Sequence, residues 1–447
     1  MWTRLINIWD KLWSSFLFLP LFLIAVALVL AVSVPRLEIQ VEAMVPWLVM
    51  TPESSQKLLA AVATSMMTMA SLVFSITIVT LSIATSQLGP RLLRKYMSMR
   101  STQTALGLFV GTGIYAIVVL MTVRNKEDGE FVPYIAVTLG VLLTLLSLVY
   151  LIYFIHRISY LIQAPNAVQS VAYDLDKAIE RLYPERFGAP AKELSAEDVQ
   201  RKLNAMGDNY RQIPSEEEGY LQSIDTDGLM ELAKKHDLIL QLHYQPGQFV
   251  LKGAPVVKAW PAEREKIDLE TQLNRAFITG NRPTPRQDVE SSINELVELA
   301  LRALSPALND PFTAINCIDR LAASLSRLAQ REIPTPYRLD DEGNLRLVTK
   351  GGDFSAALST AFDGIRRSAA KQPGVQMRLL ESLALVGKFT HREEDRVGIQ
   401  RQADMIREAA EREIAEPNDL AEMKKRYQAV QETVRQAAHV AQAKPPE

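Results

Sequence analysis

Long uncharged runs occupy the first third of the chain, and charged amphipathic segments fill the rest. Phe16 to Val34 is an uncharged run of 19 residues, enough for a helix to cross a bilayer. Three more runs without Asp, Glu, Lys or Arg extend from Leu58 to Pro90, Ser101 to Val123 and Phe131 to Ile155. They predict membrane spans at about 16–34, 58–88, 101–123 and 131–155. The first run follows Arg4 and Lys11, as a secretory signal would. Its apolar core is too long for one and three spans follow, so it reads as an uncleaved anchor.

After Arg157 the period changes. Leu161, Val168, Val171 and Leu175 fall near helical spacing and predict an amphipathic helix to about Tyr183. Pro184 to Glu218 is polar, with scattered Pro and Gly, and reads as a helix flanked by loops. A compact mixed unit follows: a strand at Gly219–Ile224, a helix at Asp227–His236, and strands at Leu238–Tyr244 and Phe249–Trp260 around Pro246-Gly247. From Asp268 the pattern is mainly helical, with a hairpin at Tyr337–Leu347 around Asp341-Glu342-Gly343-Asn344. Helices are predicted at Ser355–Lys371, Gln376–His391 and Glu393–Val440, the last broken at Pro417, before a fraying tail from Ala441.

Average composition conceals this division. The 447 residues are 48% hydrophobic and 22% charged, with net charge −2. Residues 1–157 hold 11 Lys/Arg and 7 Asp/Glu, leaving 38 of the chain's 49 Lys/Arg and 44 of its 51 Asp/Glu to the other 290. A sparsely charged, slightly basic membrane region is thus joined to a charge-rich, slightly acidic remainder. One cysteine excludes a disulfide framework and a multi-Cys metal site. The near-zero charge gives no support for nucleic acid as a partner.

Basic residues set an expected orientation. Arg91, Arg94, Lys95 and Arg100 lie between spans two and three, Arg4 and Lys11 precede span one, and Arg157 follows span four. The other two loops mix Arg36, Lys57, Arg124 and Lys126 with Glu38, Glu42, Glu53, Glu127, Asp128 and Glu130. The positive-inside rule then places both termini in the cytoplasm. Trp2, Trp9, Trp13 and Trp47 fall beside predicted boundaries, as an aromatic belt would. The N-terminal stretch is either a short interfacial helix or an extension of span one.

The second run carries ten Ser/Thr residues from Thr64 to Ser86. At 100° per residue, Thr64, Thr68, Ser71, Ser75, Ser82 and Ser86 share an arc of about 60°. The stripe skips one turn, where Ile78 and Val79 stand nearest its line. Such a stripe could line an aqueous path for ions or small solutes, with Ile78 and Val79 as an apolar gate that closes by dewetting. It could equally allow close helix packing, with hydroxyls bonded back to the preceding turn. The run is also over-long for a bilayer, so the helix must tilt, break or project, and Gly89-Pro90 ends or kinks it. Span three contains Gly107 and Gly111, a small-xxx-small pair, with Gly113 nearby; these favour close helix packing within or between subunits. No Asp, Glu, Lys or Arg lies in any span core, which counts against an ion-coupled transporter more than against a channel.

In the polar region, Asp225-Thr226-Asp227-Gly228 opens like a calcium loop, but the twelfth position is His236, so Asp225 or Thr226 is expected to cap a helix. His236 and His243 have no third ligand nearby, and no metal or other cofactor is expected. A helix ends near Ser305; Asn309 or Asp310 caps the next, and Pro311 takes its first turn. Cys317 falls on an apolar face with Ile315 and Leu321 and reads as a buried small side chain. Arg302, Ser305, Asn309, Asp310, Asp319 and Arg320 could form a ligand or subunit contact, or a structural network at this corner. The chain lacks GxxxxGK, GxGxxG, HExxH and a nucleophile elbow, and no enzyme is expected.

Two segments resemble the hallmarks of a bacterial family: Arg302-Ala-Leu-Ser-Pro-Ala-Leu-Asn309-Asp310-Pro311-Phe-Thr-Ala-Ile-Asn-Cys317-Ile-Asp319-Arg320-Leu321, and Ser86-Gln87-Leu88-Gly89-Pro90-Arg91-Leu92-Leu93. The family is that of predicted membrane proteins numbered twenty-two fifty-four among domains of unknown function. The resemblance runs from the first span to about Leu380; Leu88-Gly89 departs mildly from a pattern that often has Ser before Pro. It implies an inner-membrane protein and supplies no activity.

The expected architecture is an α-helical membrane protein with four spans in residues 1–157, a helical connector at 158–218, a small α/β subdomain (β-α-β-β) at 219–260 and a mainly helical cytoplasmic domain at 261–447. The leading functional expectation is a homo-oligomeric, channel-like pore in the bacterial inner membrane, lined by the hydroxyl stripe and controlled by the cytoplasmic domain. The rival is a membrane-anchored sensor or scaffold, and a third reading is a transporter.

Overall fold

The computed structural model describes residues 17–37, 50–89, 99–124, 131–183, 196–262, 269–283 and 287–443. Trp2, Trp9, Trp13 and Trp47, the basic residues Arg4, Lys11, Arg91, Arg94 and Lys95, and the loop residues Glu38, Glu42, Lys126, Glu127, Asp128 and Glu130 lie outside them. So does the second half of the hallmark that begins at Ser86, from Pro90 to Leu93. The chain divides into two units, Met1–Ala167 and Val168–Glu447.

The first unit contains α1 (Phe18–Ser33), α2 (Pro52–Leu88), α3 (Arg100–Leu120) and α4 (Tyr134–Ile162). Among the described residues these are the four helices long and apolar enough to cross a membrane. α2 starts at Pro52, ahead of the expected Leu58, because Thr51 is a working cap: its hydroxyl oxygen accepts the Ser54 amide at 3.3 Å, and Pro52 needs no partner in the first turn. It stops at Gly89, whose φ of 94° continues no right-handed helix. Its 37 residues span about 55 Å, well beyond a hydrocarbon core of about 30 Å.

α3 is the helix the others surround. An added Cβ on Gly107 would lie 2.8 Å from Leu23 Cδ1 and 2.9 Å from Pro20 Cα, and one on Gly111 would lie 3.3 Å from Ala27 Cβ. The small-xxx-small face is therefore used inside the chain, against α1. On other sides of α3, the fully buried Tyr115 donates its hydroxyl to the Ala136 carbonyl of α4 at 2.8 Å, and Thr112 meets Ser147 at 3.5 Å. Polar groups inside the bundle thus hold α3 to α4, where no water competes.

The second unit opens with α5 (Ala164–Leu182, shared with the end of the first) and α6 (Ala196–Met206). A mixed region follows: β1 (Arg211–Pro214), β2 (Gly219–Ile224), α7 (Thr226–His236), β3 (Ile239–Leu242), β4 (Phe249–Val250), β5 (Pro255–Trp260), α8 (Leu269–Asn274) and β6 (Phe277–Gly280). Next come α9 (Val289–Ala303), α10 (Pro311–Gln330), the hairpin β7 (Tyr337–Leu339) and β8 (Leu345–Val348), α11 (Phe354–Ser368), α12 (Pro373–Gly387), α13 (Glu393–Glu413) and α14 (Pro417–Ala443).

The strands form two sheets, ordered β1-β5-β3-β8-β7 and β4-β2-β6. This differs from a subdomain confined to 219–260. The expected strand from Phe249 to Trp260 is two strands in different sheets, separated at Gly253, where φ is 84°. β8 joins β3 in parallel, pairing Leu240 with Leu347, so the hairpin from the helical region completes the larger sheet. Asp340 fixes that hairpin by accepting the amides of Glu342 and Asn344 and the Arg346 guanidinium. Leu221, Leu229, Leu240, Val257 and Leu347 form the sheet core, and α9–α14 pack as an adjoining helical layer.

The close approach at Gly107 yields a ranked prediction for the purified protein in detergent. Gly107→Ala meets backbone at Pro20 and should cost about 1–3 kcal/mol, lowering the thermal midpoint. Gly113→Ala meets only the flexible end of Met67, at 3.1 Å, and should cost clearly less. The reverse order would contradict this packing.

Candidate functional site

The sequence pointed to one face of α2. Leu59, Val62, Met66, Ala70, Val73 and Ala84 form a buried seam against the bundle, joined by Thr80. At 100° per residue this seam lies about 190° from the centre of the hydroxyl stripe. Thr64, Thr68, Ser71, Ser75, Ser82 and Ser86 are accordingly all exposed, as are Ile78 (51%) and Val79 (57%). Exposed Met67, Leu72 and Phe74 flank the line, so the stripe is a narrow polar track on an otherwise apolar surface.

The stripe does not mediate packing within the chain. Its hydroxyls do bond back along the helix: Thr64 to the Ala60 carbonyl at 2.9 Å, Thr68 to Thr64 at 2.9 Å, Ser71 to Met67 at 3.0 Å and Ser86 to Ile83 at 2.9 Å. A hydroxyl that has given its proton to the backbone still carries acceptor lone pairs. The track therefore presents acceptor oxygens outward.

The hallmark corner between α9 and α10 is organised locally. The Asn309 amide donates to the Ser305 carbonyl at 2.9 Å and the Asp310 amide to Ala303 at 2.8 Å, with Asn309 held at φ 45°. Asp310 caps α10, accepting the Thr313 amide at 3.1 Å and its hydroxyl at 2.6 Å, which holds its carboxyl below the usual range. Asp319 is engaged elsewhere, by Arg378 of α12, which also binds Glu381; Glu381 in turn accepts from Arg426 of α14. Arg302 sits in the last turn of α9, and Arg320 is exposed. Cys317 is fully buried, and desolvation pushes its thiol up to about 12. The corner thus divides its acidic residues between a helix cap and an inter-helix network; Arg378, Glu381 and Arg426 lay too far along the chain for the motif to reveal them.

Sequence reasoning also missed a cleft of about 170 Å³ in the second unit, lined by Tyr183, Asp288, Glu290, Arg338, Lys350 and Asp353 among others. Two helices begin here. Asp288 is the N-cap of α9, and Asp353 caps α11, accepting the Ser355 amide at 2.9 Å. Gly247 and Gly352 allow the close fit, since an added Cβ would lie 2.2 Å from Asp288 Oδ2 or 2.3 Å from the Tyr183 hydroxyl. Burial, and then Glu290, push Asp288 up to about 6; burial and Asp353 also raise Glu290. Burial followed by the three carboxylates pushes Tyr183 up to about 12. Arg338 donates to the Thr335 carbonyl at 2.5 Å. The only sequence cue was a pair of carboxylates at one helix start and Gly351-Gly352-Asp353 at another. No group of three His, Cys, Asp or Glu suited to a metal occurs among the described residues. Asp225 caps α7 through the Gly228 amide at 3.1 Å, and His243 Nδ1 lies 3.1 Å from the Pro255 carbonyl.

Four apolar helices joined to a second unit of helices and strands define the class: a multi-span membrane protein. The chain matches, over residues 13–385, the family described as predicted membrane protein, DUF2254, and belongs to it. It is 30% identical over 376 residues to an uncharacterized protein of Mycobacterium bovis, covering 83% of this chain and 71% of that one. An uncharacterized protein of Mycobacterium tuberculosis matches to the same extent. No solved structure matches.

The cleft generates a pH prediction. A carboxyl whose native pKa is raised stabilises the fold below its unfolded value, and that contribution is lost as pH rises through the native one. For Asp288 the window runs from 3.8 to about 6. Asp288→Asn should therefore raise the thermal midpoint at pH 7.5, by a stability gain on the order of 1–3 kcal/mol, and the gain should vanish near pH 4. A gain that is the same at both pH values would show that charge at Asp288 is not its source.

Proposed function

We propose that this chain is a bacterial inner-membrane protein with both ends in the cytoplasm, assembled as a homo-oligomer around a channel-like pore lined by the α2 hydroxyl track. The second unit, on this reading, lies in the cytoplasm and controls the pore. The observation that carries the proposal is the opposition of seam and stripe: α2 uses its apolar face within the chain and leaves Thr64, Thr68, Ser71, Ser75, Ser82 and Ser86 outward. Copies of α2 around a common axis would turn that track to water and place Ile78 and Val79 where an apolar ring gates by dewetting. Acceptor oxygens along the track suit a cation over an anion. The span cores lack the charged group that ion coupling generally needs, which favours a pore over a transporter. No catalytic role is proposed.

Scanning cysteine accessibility in a Cys317→Ser background tests the wet face. Labelling by a polar thiol reagent should recur at the six stripe positions and fail at Leu59, Val62 and Met66. In planar bilayers Ile78→Ser should raise the leak conductance severalfold. A dimer by mass measurement that passes no current at any voltage, tension or salt would instead favour a membrane-anchored sensor or scaffold.

A further inference from the structure

The first unit holds a second feature on the seam face of α2, independent of the stripe. Ser55, in the first turn, continues the buried seam toward the helix start and is fully buried. Its hydroxyl has no hydrogen-bond partner. It lines a cavity of about 260 Å³ between the starts of α2 and α4, walled by Met50, Val137, Val141 and Leu142 and bordered by Tyr134.

An unpaired buried hydroxyl costs about 1–3 kcal/mol, so the site is unfavourable unless something fills it. Water is a poor candidate. A buried water needs two to four polar partners, and this wall is almost wholly apolar. Of the other hydroxyl residues in the lining, Thr138 gives its proton to the Tyr134 carbonyl at 2.8 Å and keeps only acceptor lone pairs, and Tyr134 stands at the border. Leu142 at the rim is 57% exposed, so the cavity opens on the outer surface of the bundle, where lipid chains lie.

Depth narrows the ligand. Both helices begin at this end, with the Glu53–Lys57 ion pair and Tyr134 marking the level at which headgroups give way to hydrocarbon. At that level a glycerolipid carries its ester carbonyls, which accept hydrogen bonds but cannot donate them. We infer that this cavity seats one acyl chain of a diacyl glycerophospholipid, whose ester carbonyl accepts the Ser55 hydroxyl. The inference rests on the membrane reading of α1–α4 and is independent of whether α2 lines a pore.

The test uses the full chain in detergent, titrated by native mass spectrometry with palmitoyl-oleoyl phosphatidylglycerol and with its diether analogue, which keeps the chains and headgroup but lacks the carbonyls. One ester lipid per chain should bind with high affinity, and the diether about fivefold more weakly, the value of one hydrogen bond. In Ser55→Ala the ester should fall to the diether level, and the two lipids should become indistinguishable. Leu142→Trp, at the exposed rim and so without demand on the core, should close the mouth and abolish this bound lipid while elution and helicity stay unchanged. Equal affinity for ester and diether in the unaltered chain would overturn the role of Ser55. Retention of the lipid by Leu142→Trp would overturn the cavity as its seat. Neither result would bear on conductance, which reports on the pore separately.

Discussion

The arrangement of the membrane unit depends on how α2 divides its circumference. Its apolar positions, recurring every three or four residues from Leu59 to Val73 and resumed at Ala84, can all be buried at once only if that side faces α3 and α4. Once it does, the opposite side has no partner within the chain, and that side carries the hydroxyl line. Hydrocarbon offers little discrimination between apolar faces, so van der Waals fit must choose the seam. The fit is visible at α3, where glycines admit Pro20 and Leu23 on one side and Met66 and Met67 on another. A helix held on two sides by glycine-lined contacts has little freedom to rotate, and the orientation of the stripe follows from packing elsewhere.

In the second unit the corresponding constraint is disposal of charge. Its carboxylates are answered in three ways. Asp310 and Asp353 cap helices, where exposed amides and the helix dipole favour a negative group. Asp319 and Glu381 are held by Arg378 and Arg426, tying α10, α12 and α14 together. Asp288 and Glu290 are answered least: buried beside one another and near Asp353, they shift toward the neutral form. Proton binding in the cleft is therefore linked to fold stability. Elsewhere in this unit the Arg331 side chain donates to the Tyr183 carbonyl at 3.2 Å, and Arg392 donates to the Arg331 carbonyl at 3.0 Å and to the buried Asp395 at 2.9 Å.

What could be read from sequence was whatever depends on neighbours along the chain. Uncharged runs located four helices, the Asp310-Pro311 pair gave the start of α10, and the apolar face around Cys317 gave its burial. α2 begins ahead of the expected span at 58 because Thr51-Pro52 sets the helix start: a cap fixes where a helix begins, whereas the charge of Lys57 only fixes where hydrocarbon begins. The larger sheet was out of reach for another reason. β3 and β8 meet in parallel across more than a hundred residues, and neither strand's pattern names its partner. The acidic cleft is likewise built from α9 and α11, whose starts are remote in sequence.

The serines of α2 show why residue type alone is a weak guide inside a bilayer. Ser71, on the outward face, gives its proton to the Met67 carbonyl and so is content against lipid, water or another helix. Its presence does not by itself require an aqueous path; the alignment of six such residues opposite an apolar seam is what makes one physically reasonable. Ser55 is the inverse. It lines a largely apolar cavity, yet its hydroxyl is buried without a partner. Unlike Thr64, Thr68 and Ser71, it makes no bond back to the carbonyl one turn earlier, that of Thr51, which accepts the Ser55 amide at 3.0 Å. A polar atom that the helix cannot satisfy must be satisfied from outside or carried at a cost, and in an apolar cavity at the membrane boundary the nearest abundant acceptor is the lipid itself.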